Sequence, residues 1–223
     1  MKYIFSLAVV LMVLSSCKNS TNSYSFSKAE KAYEKNQTAE NTQMLKDAYI
    51  AYAAEHPEDT NTIVERFHKM SDILMKNEQP EAAIEINELL VKDYFEHDSS
   101  VKTIENLMNA YEAFAYSNQD DEKAPAYLEK AAEMARSLGK PDKAISYYDL
   151  IFKKYPGTIY APRALFLKAF TTESMLNNKK VAKNLYQMFI NEFPDDEFAD
   201  DAQFLLDNID KTDEEILKSF EKK

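Results

Sequence analysis

The 223 residues carry 38 Asp and Glu against 27 Lys and Arg, for a formal net charge of −11. That balance excludes a nucleic-acid binder, which needs a Lys/Arg patch to neutralise phosphates, whereas 45% hydrophobic residues supply a core. With 2 glycines and 1 cysteine, dinucleotide folds, phosphate loops and disulfide frameworks are excluded as well.

The chain opens with Lys2 and an apolar run from Ile4 to Leu14, broken only by Ser6. A membrane-spanning helix needs roughly 20 apolar residues; this run has the length and flank of a secretory leader. It ends in Leu14-Ser15-Ser16-Cys17, which resembles the lipobox of bacterial lipoproteins. The resemblance implies cleavage before Cys17, a diacylglyceryl thioether on its sulfur, and acylation of the new amino terminus. Stable anchoring takes more than one acyl chain, and this modification supplies them. Residues 1–16 are therefore expected to be a leader, and residues 17–27 a lipidated cysteine on a flexible Ser/Asn-rich tether. Lys18 stands where Asp resembles an inner-membrane retention signal, and no acidic run follows Cys17. Both point to the outer membrane, on its periplasmic face.

From about residue 28 the sequence becomes a series of amphipathic segments rich in Ala, Glu, Lys, Leu and Met, all good helix formers. The patterns predict helices near 28–36, 40–56, 59–77, 80–96, 99–117, 122–138, 141–155, 159–177, 179–193, 196–209 and 213–221. Pro57, Pro80, Gly139-Lys140-Pro141, Pro156-Gly157 and Pro194 punctuate them. Connections this short make consecutive helices antiparallel neighbours.

The segments repeat. Ala144, Tyr148, Ile151, Tyr155 and Pro156 recur 38 positions later as Ala182, Tyr186, Phe189, Phe193 and Pro194, and Ala161, Ala164 and Phe166 recur as Ala199, Ala202 and Phe204. Leu45, Tyr49, Tyr52, His56 and Pro57 form a weaker earlier copy. Such periodicity predicts an all-α, antiparallel helix-pair superhelical solenoid over 28–223. Pro125 to Thr158 resembles the tetratricopeptide repeat in register. Leu128, Ala131, Ala132 and Ala135 fall on the first helix, Gly139 ends it, and Ala144, Tyr148, Ile151 and Pro156 fall on the second. The expected packing set is Ala132, Ala144, Tyr148, Pro156, Ala182, Tyr186 and Pro194. The junctions Tyr155-Pro-Gly-Thr-Ile-Tyr-Ala-Pro-Arg-Ala164 and Phe193-Pro-Asp-Asp-Glu-Phe-Ala-Asp-Asp-Ala202 are similar to those of the BamD and YbgF branch of envelope tetratricopeptide proteins. The resemblance is good over 141–206 and loose over 40–138. Across 99–138 the order of first and second helices does not alternate cleanly, and an irregular repeat is expected there.

No residue set offers chemistry. His56, His68 and His97 stand apart, without H-E-x-x-H spacing or a second cysteine to complete a metal site. Asp120-Asp121, Asp195-Asp196 and Asp200-Asp201 lack EF-hand spacing; the last four lie at a helix start, where carboxylates offset the macrodipole. Two glycines cannot build a G-x-S-x-G elbow. Neither metal, cofactor nor catalysis is expected. Binding remains, on an inner face lined by the first helices of the repeats. The candidate contact residues are Arg66, Lys69, Arg136, Arg163, Lys168 and Glu173. The expected function is a membrane-anchored scaffold or adaptor lipoprotein for other envelope proteins. The alternatives are a glycan- or peptide-binding lipoprotein, or the coordinator of cell division and peptidoglycan synthesis that the YbgF resemblance implies.

Overall fold

A computed structural model describes residues 26–94 and 100–220; the leader, Cys17, most of the tether and His97 lie outside the described residues. Within them the chain is helical throughout, with no strand. The helices are α1 (Phe26–Lys35), α2 (Ala39–Glu55), α3 (Thr60–Lys76), α4 (Pro80–Tyr94), α5 (Val101–Ser117), α6 (Ala124–Ser137), α7 (Pro141–Lys154), α8 (Tyr160–Ser174), α9 (Lys179–Glu192), α10 (Ala199–Asn208) and α11 (Asp213–Phe220). None is long and apolar enough to cross a membrane. The expected boundaries differ by a few residues. The largest consequence is at the start, where Phe26 and Ser27, assigned to the tether, belong to α1. The Phe26 ring is held edge-on to Tyr52 at 4.8 Å and to Tyr49 at 6.2 Å, both on α2.

Local chemistry sets the helix ends. Thr38, Ser100 and Asn178 accept backbone N–H groups three residues on, satisfying donors that a helix start leaves open. Three turns use a left-handed residue at the helix end: Glu78, Gly139 and Asn177. At Gly139, φ is +67, its N–H donates to the Arg136 carbonyl, and the Lys140 N–H donates to the Ala135 carbonyl. This is a Schellman closure. Pro141 then opens α7, where its missing N–H costs nothing.

The described helices form two compact units, divided between His56 and Pro57. In the first, α1 packs on α2 over Ala29, Tyr33, Leu45, Ala48 and Tyr49, and Tyr49 donates to Glu30 at 2.6 Å. In the second, each helix from α3 to α10 packs on the next. Successive antiparallel helices of this kind alternate between two layers, with α3, α5, α7 and α9 in one and α4, α6, α8 and α10 in the other. Two next-but-one pairs also come into close contact: α3 with α5, and α6 with α8. They belong to opposite layers. The tightly packed layer therefore changes sides between α5 and α6, inside the 99–138 stretch.

Small side chains make the close approach possible. Ala131, Ala132, Ala144, Ala161, Ala164, Ala169 and Ala182 are fully buried, with Tyr148 and Tyr186 filling the space beside them. Two members of the expected packing set behave differently. Pro156 and Pro194 are exposed, because they sit one residue past the caps of α7 and α9, where a ring that cannot continue the helix turns the chain outward.

Candidate partner-binding face

The helices around the layer change are joined by side chains that reach across. On α6 and α8, the Arg163 guanidinium lies 3.2 Å from Glu129 and 3.7 Å from Glu133. One heptad further along both helices, Arg136 lies over the Phe170 ring at 5.4 Å. The Arg163–Glu129 and Arg136–Phe170 contacts each join residues 34 positions apart, the length of one repeat unit. Glu129 is mostly buried, at 12% side-chain exposure. Burial raises its pKa, Arg163 pulls it down and Glu133 pushes it up, with a net rise. Beneath them, burial raises the pKa of Tyr148, with Arg136 opposing.

Between α4 and α6 the backbones stand further apart, and long lysines bridge the gap. Lys123 reaches Glu81 at 2.9 Å and Lys130 reaches Glu88 at 3.2 Å. Beyond the second rung the gap is an open cleft of about 470 Å³. Val91, Leu107, Tyr111 and Met134 form its apolar lining, and Glu88, Lys92, Lys130, Glu133 and Ser137 its polar edge. Tyr111 donates to Glu88 at 2.5 Å, and the Lys130 ammonium sits 5.0 Å from the Tyr111 ring centroid. Burial, then the Glu88 bond and charge, push the Tyr111 hydroxyl far above its ordinary pKa. These groups are fixed before any partner arrives, which reduces the ordering cost of binding.

The six candidate contact residues divide. Arg136 and Arg163 come together on the α6–α8 face, next to the cleft through Glu133. Lys168 is turned to α7, 2.5 Å from Asp149. Burial alone would raise the Asp149 pKa, but Lys153 and Lys168 outweigh it and hold the carboxyl below its usual range. Glu173 accepts the Tyr186 hydroxyl from α9 at 2.8 Å. Arg66 lies 3.7 Å from its neighbour Glu65 and, with Lys69, belongs to α3 in the other layer. His68, also on α3, is buried with its ring nitrogens 3.2 Å from Thr103 Oγ1 and 3.3 Å from Asn106 Nδ2; it is a bridge to α5. No cluster of three metal-ligating side chains occurs among the described residues. The cleft was missed in the sequence. Its one advance sign was the matched heptad spacing of Glu81 and Glu88 with Lys123 and Lys130, both pairs 42 positions apart.

The tetratricopeptide repeat family profile matches residues 126–158 and 163–196, which cover α6–α7 and nearly all of α8–α9. The first match starts one residue from the expected register. No curated protein matches the sequence. Among solved structures the chain is similar to that of MamA protein, at 18% identity over 75% of this chain and 91% of that one, with a TM-score of 0.32. It is likewise similar to that of a thermophilic TPR protein in Thermus thermophilus, at 15% identity over 82% and 98%, with a TM-score of 0.30.

Proposed function

We propose that this chain is a scaffold lipoprotein of a bacterial envelope, anchored through Cys17 at the periplasmic face of the outer membrane, that docks a protein partner on its α4–α6 cleft and the adjoining α6–α8 face. The observation that carries the reading is the pair of tandem tetratricopeptide matches beginning at α6, the helix that forms one wall of the cleft. Leu14-Ser15-Ser16-Cys17 supports the anchor. The cleft suits one or two apolar side chains from a partner segment: burying a Leu or Phe there contributes roughly 1.5–3 kcal/mol. Glu133 at its edge, with Arg163 3.7 Å beyond it, would fix register by charge. The chain's own residues offer orientation and burial there.

Two experiments test this. A photo-reactive group replacing Met134, in cells, is expected to crosslink one defined envelope protein. Diffuse crosslinking, equal to that from a group at exposed Ser146 on α7, would exclude the cleft as the docking site. For the anchor, Cys17→Ala is expected to leave the protein unprocessed or free of the membrane fraction, and unchanged processing and retention would refute lipidation.

A further inference from the structure

The C-terminal part of the chain displays two surfaces of opposite character. From Ser174 to Asn191 the sequence holds Lys179, Lys180 and Lys183 and not one Asp or Glu, in a chain with 38 acidic residues. Around the turn from α8 to α9, Met175 and Leu176 are each 38% exposed and Val181 is 42% exposed. Lys179 and Lys180 beside them are exposed and make no ion pair among the described residues. From Asp195 to Glu215 the balance reverses, with ten acidic residues and Lys211 alone in opposition. This acidic stretch runs into α11, which packs closely on no other described helix and leaves Leu217 65% exposed beside the exposed Glu214.

We propose that these surfaces are complementary and that copies of this chain associate head to tail, the α11 end of one copy lying on the α8–α9 corner of the next. Charge chooses the occupant. The corner is a basic, apolar site on an acidic molecule, and α11 opens with the acidic run Asp213-Glu214-Glu215 ahead of an uncovered apolar side chain, Leu217; Glu214 itself also meets Lys218 within the helix. Within one copy Asp210, three residues before α11, pairs with Lys183, and among the described residues that pair leaves Lys179, Lys180 and Leu217 available. Made in one direction, the contact propagates into rows or closes into a ring; made reciprocally, it closes a two-fold pair. Exposed ion pairs are screened by salt, so the association weakens as ionic strength rises. The inference does not depend on the partner-docking or lipid-anchor reading, since it concerns other residues and is tested on unlipidated protein.

The test mixes two forms of the detergent-solubilised full chain, both carrying Cys17→Ser, one with Lys180→Cys and the other with Leu217→Cys. Under mild oxidation the mixed disulfide-linked pair is expected to exceed either like pair by about tenfold, the factor that corresponds to about 1.4 kcal/mol of preference. In sedimentation velocity the Cys17→Ser chain is expected to grow heavier with concentration. Lys179→Glu with Lys180→Glu is expected to weaken that growth about tenfold, and adding Glu214→Lys in the same chain to recover part of it. A monomer at every concentration, from α11 closing on its own chain or waiting for a different protein, would overturn the proposal. So would like pairs forming as readily as mixed ones.

Discussion

Tyr186 on α9 donates its hydroxyl to Glu173 on α8 at 2.8 Å, and the same device recurs where Tyr111 meets Glu88 and Tyr49 meets Glu30. In each case a buried phenol ties a helix to a glutamate on the helix before it. The hydroxyl satisfies one carboxylate oxygen, and the ring fills the space between the helices; at Glu88 the same carboxylate also meets Lys130 at 3.2 Å. The arrangement stabilises a neutral phenol. Burial first, then the Glu173 bond and charge, push the Tyr186 hydroxyl far above its ordinary pKa. Tyr111 and Tyr147 are displaced the same way, each by burial before its glutamate.

A pH dependence follows from that displacement. An unfolded phenol releases its proton near pH 10, while these three hold theirs in the folded chain. Above that pH the unfolded state binds fewer protons, so stability falls as pH rises. The contribution is complete below about pH 10 and is lost beyond it. Urea midpoints taken on either side of that value are expected to drop steeply on the alkaline side, and less steeply in Tyr186→Phe. That variant is also expected to be about 1–2 kcal/mol less stable at neutral pH, because Glu173 loses its donor. An unchanged alkaline slope in Tyr186→Phe would contradict the assignment.

Gly139→Ala is expected to cost about 1 kcal/mol, although a Cβ there would meet no atom within 4 Å. The strain is in the backbone, at φ +67, and not in the packing. The complementary substitution is Glu78→Gly, at φ 56, which is expected to stabilise by about 0.5–1 kcal/mol. Thermal unfolding of both variants checks the pair, and a neutral Gly139→Ala would show that the turn can relax.

Packing and punctuation separate in a third comparison. Ala132 is fully buried, so Ala132→Leu forces extra volume between α6 and its neighbours and is expected to cost about 1–3 kcal/mol. Pro156 is exposed past the end of α7, and Pro156→Ala is expected to change stability by less than about 0.5 kcal/mol. Denaturant midpoints that rank the two in the opposite order would mean that the prolines, and not the alanines, hold the repeats together.

Glu129 offers a fourth. Its pKa is raised in the folded chain, so its contribution is greatest below the ordinary carboxylate range and is lost as pH rises through the shifted value. Arg163 limits that loss. Arg163→Ala is expected to destabilise the protein by about 1 kcal/mol at neutral pH and by less in acid, whereas Glu129→Gln, which has no charge to bury, is expected to remove the difference between the two conditions. Chemical denaturation of wild type and both variants at pH 4 and pH 7 decides it: equal losses for Arg163→Ala at both values would rule out Glu129 as the coupled group.

Much of this architecture was legible in the residues. Alanines and tyrosines at helical spacing, with Gly139 and the prolines between them, located every described helix to within a few positions, because the burial pattern and the breakers are properties of adjacent residues. The repeat register around Pro125–Thr158 was legible for the same reason. The site was not. The helical positions of Arg136 and Arg163 are legible locally, but nothing local to Lys168 or Glu173 says that Asp149 and Tyr186 already occupy them. The cleft depends on how far α4 stands from α6, a distance set by helices some forty residues apart. Only the lysine and glutamate pairs that bridge that distance left a trace in the sequence.

The switch of the close-packed layer between α5 and α6 limits what can be held at one time. A ligand lying along α3 and α5 meets the opposite side of the stack when it reaches α6, so no straight segment can follow both stretches. Two separate clients could occupy them without competing, and a single client long enough to use both would have to cross over the edge at α5. One run of helices thereby turns its two close-packed pairs, α3 with α5 and α6 with α8, to opposite sides.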